Sequence, residues 1–290
     1  SLGLDDPTSA NPVATPTATR TYTLYVTDNV SGCSPVIKTV TVTVNPVPAL
    51  YAVTGSEYYC FGPAGATLTL MGSQTDINYQ LYKGALASGG VVAGTGSALT
   101  WTGLTTGTYT VKAVNPLTGC SRDMNGSLTL TENPEIIISD ISIVNPSCNS
   151  YNDGVILITA IGGTAPLSYS INNGGSYQSS NTFAGRPAGV YNIVVRDSRG
   201  CSVTAVRTIT QPDLLEITAL DLTNPITCFG NSDGAARVTV TGGTPDAGSY
   251  YYQWYYDSGL TFPIGGKTTD EISGMPAGSY WVRISDYNIC

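Results

Sequence analysis

Apolar and polar residues alternate along much of this chain, and no stretch of ten or more residues carries the 3.6-residue apolar period of a helix. Val155 to Ile161 and Ala236 to Thr241 are β-branched and apolar, which suits strands in the core of a sandwich. Asp153-Gly154, Ser232-Asp233-Gly234, Gly162-Gly163-Thr164 and Gly242-Gly243-Thr244 punctuate these runs. Asp-Gly and Gly-Gly supply the positive φ that tight turns demand. The pattern predicts an all-β chain of short strands and tight turns.

Alternation also assigns faces. The run Tyr250-Tyr251-Tyr252-Gln253-Trp254-Tyr255-Tyr256 aligns with Tyr169-Ser170-Ile171 and with Tyr79-Gln80-Leu81. Tyr252 and Trp254 then point inward, and Tyr251 and Tyr255 outward. Tyr280, Val282 and Ile284 match the inward set, so Trp281 faces out beside Arg283. Outward Tyr251, Tyr255 and Trp281 are candidate binding residues, because exposed aromatics stack on sugars or bury themselves in interfaces. The plainer reading is packing against a neighbouring repeat or loop.

The pattern recurs at long range, the mark of a repeat protein. Four tails run from a tyrosine to a cysteine: Tyr22 to Cys33, Tyr109 to Cys120, Tyr191 to Cys201 and Tyr280 to Cys290. Gly32, Gly119 and Gly200 precede three of these cysteines, and successive tail cysteines lie 87, 81 and 89 residues apart. That is the size of one immunoglobulin-like sandwich. Front halves match too: Asn145-Pro146-Ser147-Cys148 and Asn224-Pro225-Ile226-Thr227-Cys228 each precede an Asp-Gly turn. Pro187-Ala188-Gly189 and Pro276-Ala277-Gly278 stand two residues ahead of Tyr191 and Tyr280. A Gly two residues before a strand-opening Tyr resembles a tyrosine corner, in which the hydroxyl bonds back to nearby backbone. Five residues before that Tyr stand Leu104 and Met275, but Arg186 in the middle copy, a departure that weakens the corner reading for that repeat only.

The expected architecture is therefore tandem immunoglobulin-like β-sandwich repeats in an elongated array. Its parts are residues 1–46, the end of one repeat; 47–133, a divergent repeat; 134–211, a full repeat; and 212–290, a repeat lacking its last strand. Both edges fall inside repeats, so a piece of a longer array is expected. The junctions Asn45-Pro46-Val47-Pro48, Asn133-Pro134 and Gln211-Pro212 are short and contain proline, which limits hinge motion.

Composition narrows the function classes. Only 11% of residues are charged and the net charge is −8, so a nucleic-acid partner is not expected. The longest aliphatic run is Ile136-Ile137-Ile138, too short for a membrane span. With no histidine, Ser-His-Asp and Cys-His catalysis fall away, as do most zinc sites. Gly230-Asn231-Ser232-Asp233-Gly234 matches a nucleophile elbow but lacks the strand-to-helix turn and the base, and is read as a turn. No cofactor is expected. Asp153 and Asp233 are weak calcium candidates; Asn and Asp more often occupy such turns by capping local backbone.

Seven cysteines imply disulfides plus one left over. Two pairings fit the spacing. Within repeats, Cys60–Cys120, Cys148–Cys201 and Cys228–Cys290 leave Cys33 with a partner upstream. Across junctions, Cys33–Cys60, Cys120–Cys148 and Cys201–Cys228 leave Cys290 alone. The first set is preferred, because an even number of strand passes within a repeat would return both cysteines to one pole. The second set would have to span strands of about 3.3 Å rise per residue, beyond the roughly 7 Å reach of a disulfide.

These landmarks resemble the SprB-type repeats of Bacteroidota surface adhesins. The resemblance rests on Asn145-Pro146 with Cys148, Asp153-Gly154, Gly162-Gly163-Thr164, Pro187-Ala188-Gly189, Tyr191, Asp197, Gly200-Cys201 and Thr208-Ile209-Thr210-Gln211-Pro212, and in the last copy on Asp286 and Cys290. The opening, with Asp6-Pro7-Thr8, Asn11-Pro12-Val13-Ala14-Thr15-Pro16 and Thr21-Tyr22-Thr23, resembles the end of PKD/Ig-like modules. The resemblance implies an extracellular, cell-surface protein exported by type IX secretion and serving gliding, attachment or filament building. A non-catalytic structural and adhesive rod is the expected function, its partners being its own neighbouring repeats and extracellular polysaccharide or surfaces. The alternatives are carbohydrate-binding or spacer modules of a secreted enzyme, and a filament subunit assembled by strand exchange.

Overall fold

The computed structural model describes residues 3–28, 30 and 33–290, and Gly32, expected in the turn before Cys33, lies outside them. Every element among the described residues is a strand, and the chain divides into two compact units, Ser1–Asn133 and Pro134–Cys290. No helix among the described residues is long and apolar enough to cross a membrane.

In the first unit, β1 (Arg20–Val26) and β2 (Val36–Val42) form an antiparallel pair with Arg20 opposite Val42. A two-sheet sandwich follows. Its strands are β3 (Val53–Gly55), β4 (Tyr58–Tyr59), β5 (Ala66–Leu70), β6 (Asn78–Lys83), β7 (Leu86–Ala93), β8 (Leu99–Leu104), β9 (Gly107–Val114), β10 (Ser121–Asp123) and β11 (Leu128–Glu132). One sheet has the order β3-β5-β8; the other has β4-β11-β9-β6-β7, with β10 also on β9. Alternate residues of facing strands fill the space between: Leu68 and Leu70 from β5, Tyr79 and Leu81 from β6, Tyr109 and Val111 from β9.

The second unit contains two structurally parallel segments. The first comprises β12 (Ile136–Val144), β13 (Gly154–Gly162), β14 (Ser168–Ser170), β15 (Thr182–Arg186), β16 (Gly189–Arg196) and β17 (Ser202–Ile209). The second comprises β18 (Glu216–Asn224), β19 (Gly234–Thr241), β20 (Tyr251–Tyr255), β21 (Glu271–Met275) and β22 (Trp281–Ser285). Sheets β12-β13-β15 and β18-β19-β21 correspond strand for strand, whereas β14-β16-β17 corresponds to a two-stranded β20-β22. Each segment wraps its own buried cluster, around Ile156, Ile158, Ile193 and Val195 in one and Val238, Trp254, Ile264 and Ile272 in the other.

The Gly-Gly turns are sterically required. Gly162 and Gly242 both have positive φ, and a Cβ on either would collide with a backbone oxygen, that of Glu135 or of Leu214. Strand alternation places Tyr252 and Trp254 toward the core and leaves Tyr251 and Trp281 exposed.

All three tyrosine corners form. Tyr109, Tyr191 and Tyr280 each donate a hydroxyl hydrogen bond to the carbonyl four residues back, on Thr105, Pro187 and Pro276, at 2.9, 2.8 and 2.8 Å. Arg186 therefore does not prevent the corner in the middle copy. The Arg186 side chain bends back to donate to the Ala184 carbonyl and leaves the turn undisturbed.

Candidate functional site

Chemistry in the second unit concentrates where its two segments meet. Asp197 and Asp286 organise the tail turns. Each is buried and accepts three backbone N–H groups: Thr164, Arg199 and Cys201 for Asp197 at 2.9–3.0 Å, and Thr244, Asn288 and Cys290 for Asp286 at 2.7–3.0 Å. Charge-assisted bonds from three donors compensate the desolvation of each carboxylate. They also fix the position of the tail cysteine four residues on.

That cysteine is where the structure departs from the expected pairing. Cys290 is bonded to Cys148, with Cα atoms 5.7 Å apart. Cys148–Cys201 and Cys228–Cys290 therefore do not form, and Cys120 and Cys228 are free, which removes Cys60–Cys120 and the cross-junction pairs Cys120–Cys148 and Cys201–Cys228 as well. Topology supplies the reason. Strands β14 and β15 both run toward the pole that carries Cys148, since β15 is antiparallel to β13 and β14 is antiparallel to β16. Residues 171–181 carry the chain back between them without a full strand. An odd number of passes thus separates Cys148 from Cys201, and the two lie at opposite poles of one segment. The tail turn of the next segment is what lies beside Cys148.

Polar contacts reinforce the bond. Asn288 Nδ2 donates to the Ser147 carbonyl at 2.8 Å, Asn149 Nδ2 to the Pro212 carbonyl at 2.9 Å, and the Ser150 amide to Gln211 Oε1 at 3.0 Å. The Thr210 amide donates to Asn145 Oδ1 at 3.1 Å. Covalent and hydrogen-bonded ties from both sides of Gln211-Pro212 therefore hold one segment's front turn against the linker and the next segment's tail. Asn149 and Asn288 carried no sequence signal for this role, because their partners lie 63 and 141 residues away.

The calcium candidates are engaged in their own turns. Asp153 accepts the Ser147 amide at 3.0 Å and hydroxyl at 2.5 Å; Asp233 accepts the Thr227 amide at 3.3 Å and hydroxyl at 2.5 Å. The hydroxyl bond is the main cause, in each case, of a carboxyl pKa below the usual carboxylate value. No group of three or more acidic or cysteine side chains suited to a metal occurs among the described residues.

The aromatic candidates lie on the outer face of β20 and β22. Tyr255 stands directly opposite Trp281, Gln253 opposite Arg283 and Tyr251 opposite Ser285. The Tyr251 hydroxyl donates to Asp246 at 2.8 Å, a bond that raises its pKa. Trp281 and Tyr251 are exposed and Tyr255 is half-buried, so the face offers one cross-strand aromatic pair with a third ring further along.

The fold defines a chain of tandem immunoglobulin-like β-sandwiches, two of them covalently stapled. A family model described as the SprB repeat matches residues 141–176 and 222–259, one stretch in each segment of the second unit. No curated protein sequence matches the chain. Among solved structures, the three N-terminal domains of the outer capsid protein Hoc of bacteriophage RB49 align at 16% identity over 81% of this chain and 92% of that one, with a TM-score of 0.31. The N-terminal eight Ig domains of Down syndrome cell adhesion molecule align at 14% identity over 94% of this chain and 38% of that one, TM-score 0.41. The insect immune protein hemolin aligns at 14% identity over 81% and 73%, TM-score 0.25.

Proposed function

We propose that this chain is a non-catalytic structural and adhesive stretch of a secreted bacterial surface protein, acting as a stiff series of repeats. The observation that carries the reading is the stapled junction: Cys148–Cys290 with the hydrogen bonds of Asn149, Ser150 and Asn288. A protein that transmits load or holds a binding surface away from the cell benefits when adjoining modules cannot pivot. The same bond supports an extracellular setting, since structural disulfides persist in oxidising compartments. Export by type IX secretion from a member of the Bacteroidota, and service in gliding or attachment, extend this reading through the SprB resemblance. The net charge of −8 disfavours nucleic acid as a partner. Electron microscopy of the oxidised chain should show rods of constant length, and reduction should broaden the distribution of bend angles. Compact globules before reduction would refute the proposal.

A second reading, carbohydrate binding, is favoured by the cross-strand placement of Tyr255 and Trp281 with Tyr251 on the same face. Sugar rings stack on such pairs. A glycan array should give signals that fall to background in a Tyr251→Ala, Tyr255→Ala, Trp281→Ala variant; signals unchanged by the triple substitution would exclude this face.

A further inference from the structure

The 134–211 segment carries a cleft of about 430 Å³ between the β13–β14 connection, the loop after β14 and the tail turn, lined by Leu167, Ser168, Tyr177, Ser179, Arg196 and Ser198 among others. Arg196, exposed at the end of β16, lies over the Tyr177 ring, 3.9 Å from its centroid. Among the described residues the ion pairs are those of Arg237, and the Arg196 guanidinium donates to no protein group. A guanidinium stacked on an aromatic ring keeps its N–H edge for a planar anion. The loop that presents Tyr177 is fastened on both sides. Asn172 Oδ1 accepts from the Ser170 hydroxyl at 2.8 Å and the Ser176 amide at 3.0 Å, and Gln178 and Tyr169 exchange backbone hydrogen bonds at 2.8 and 2.9 Å. The Tyr177 hydroxyl sits over Gly174, where a Cβ would come within 2.9 Å of it.

The sandwich itself does not require this pair. Counted from the corner tyrosine, the place of Arg196 is held by Val114 and Ser285 in the other two sandwiches, and pairing agrees, since Val114, Arg196 and Ser285 stand opposite Asn78, Ser168 and Tyr251. We infer that the cleft binds an acidic saccharide, whose carboxylate pairs with the Arg196 guanidinium and whose hydroxyls meet the serines of the wall. Ser168 and Ser198 donate their hydroxyl protons to the Arg196 and Thr164 carbonyls, which leaves oxygen lone pairs for a sugar hydroxyl. A peptide suits the cleft less well, because the wall's backbone groups at Tyr169, Gln178 and Ser198 are already paired. Asp197, which also lines the cleft, does not oppose the anion strongly: it is 4% exposed, and three backbone amides counter its charge. The site shares the carbohydrate class of the second reading above but no residue of the Tyr251, Tyr255 and Trp281 face, so either can fail alone.

The test titrates the full oxidised chain with trigalacturonic acid and with its methyl ester, read by calorimetry and by NMR of the arginine Nε–H groups. The acid should bind one to one and shift the Arg196 Nε–H resonance. The ester should bind about tenfold more weakly or worse, the loss expected when a charge-assisted pair is removed. Arg196→Gln should weaken binding of the acid by about the same factor with an unchanged melting temperature, and Tyr177→Leu by about threefold, the worth of an exposed cation–π contact. Trp281→Ala should leave binding as it was. Equal binding of acid and ester, or undiminished binding by Arg196→Gln, would overturn the inference. A hexaglutamate peptide that binds as tightly as the sugar acid would overturn it too. Loss of binding in Trp281→Ala but not in Arg196→Gln would place the sugar on the face of β20 and β22 instead.

Discussion

The two segments of the second unit share a plan but close their cores by different means. In 134–211, β16 lies between β14 and β17, and Ile193 and Val195 are completely buried. In 212–290, β22 has a neighbour on one edge, and the equivalent Val282 and Ile284 are half-buried. The second segment fills its core with Trp254, which stands opposite Val282 and donates its indole N–H to the Thr269 carbonyl at 3.0 Å. Ile264, from the loop after β20, joins it. A large aromatic from β20 thus fills the middle of the second segment's core.

The comparison is broken most severely at Trp254. A Trp254→Ala change should cost the 212–290 segment about 4 kcal/mol, since it removes the largest side chain of the buried cluster and leaves a cavity. Denaturant titration followed by hydrogen exchange should show the loss there and not in 134–211. Ile209→Ala should cost the 134–211 segment about 3 kcal/mol and make Ile193 and Val195 resemble Val282 and Ile284 in exchange rate. A melting curve unchanged by this substitution would show that β17 is held by its backbone pairing alone.

The staple comes next. Replacing Cys148 and Cys290 together by Ser should cost about 2 kcal/mol, the low end for disulfides, because each segment retains its own core. Exchange should quicken at residues 145–150 and 286–290. In the unaltered chain iodoacetamide should label Cys228, the exposed counterpart of Cys148, and leave Cys148 unmodified.

The smallest effect sharpens the likeness between the segments. Asp153 and Asp233 have lowered pKa values, chiefly from the hydroxyls of Ser147 and Thr227. A lowered folded-state pKa means that the carboxylate contributes its stabilisation in full above the unfolded value of about 3.9. The contribution is lost as pH falls through the lower folded value. Carboxyl titration by NMR should place both midpoints below that of a free aspartate, and Ser147→Ala should return Asp153 toward it while leaving Asp233 where it was.

Much of the fold was legible because it is governed by local rules. Alternation placed Trp254 inward and Trp281 outward, since successive side chains of a strand must take opposite faces. The corner tyrosines were legible from Gly two residues earlier, and the bond they make spans only four residues. Arg186 misled, because a long side chain can leave the turn through solvent and return to its own backbone. For the candidate site, the outward aromatics could be read from alternation. Tyr255 facing Trp281 could not, because register between β20 and β22 depends on a connection of twenty-five residues.

By itself, the order of residues determined an all-β chain of repeated sandwiches, with glycines where no side chain fits and tyrosines anchored to their own turns. Those features depend on sterics and hydrogen bonds within a few residues. Tertiary structure alone decided which cysteines meet. Cys148 and Cys290 are 142 residues apart, and they come together because two strands run in the same direction and carry a segment's own tail to its far pole. No spacing rule registers strand direction, so a pattern that correctly reported the repeats could not report how they are joined.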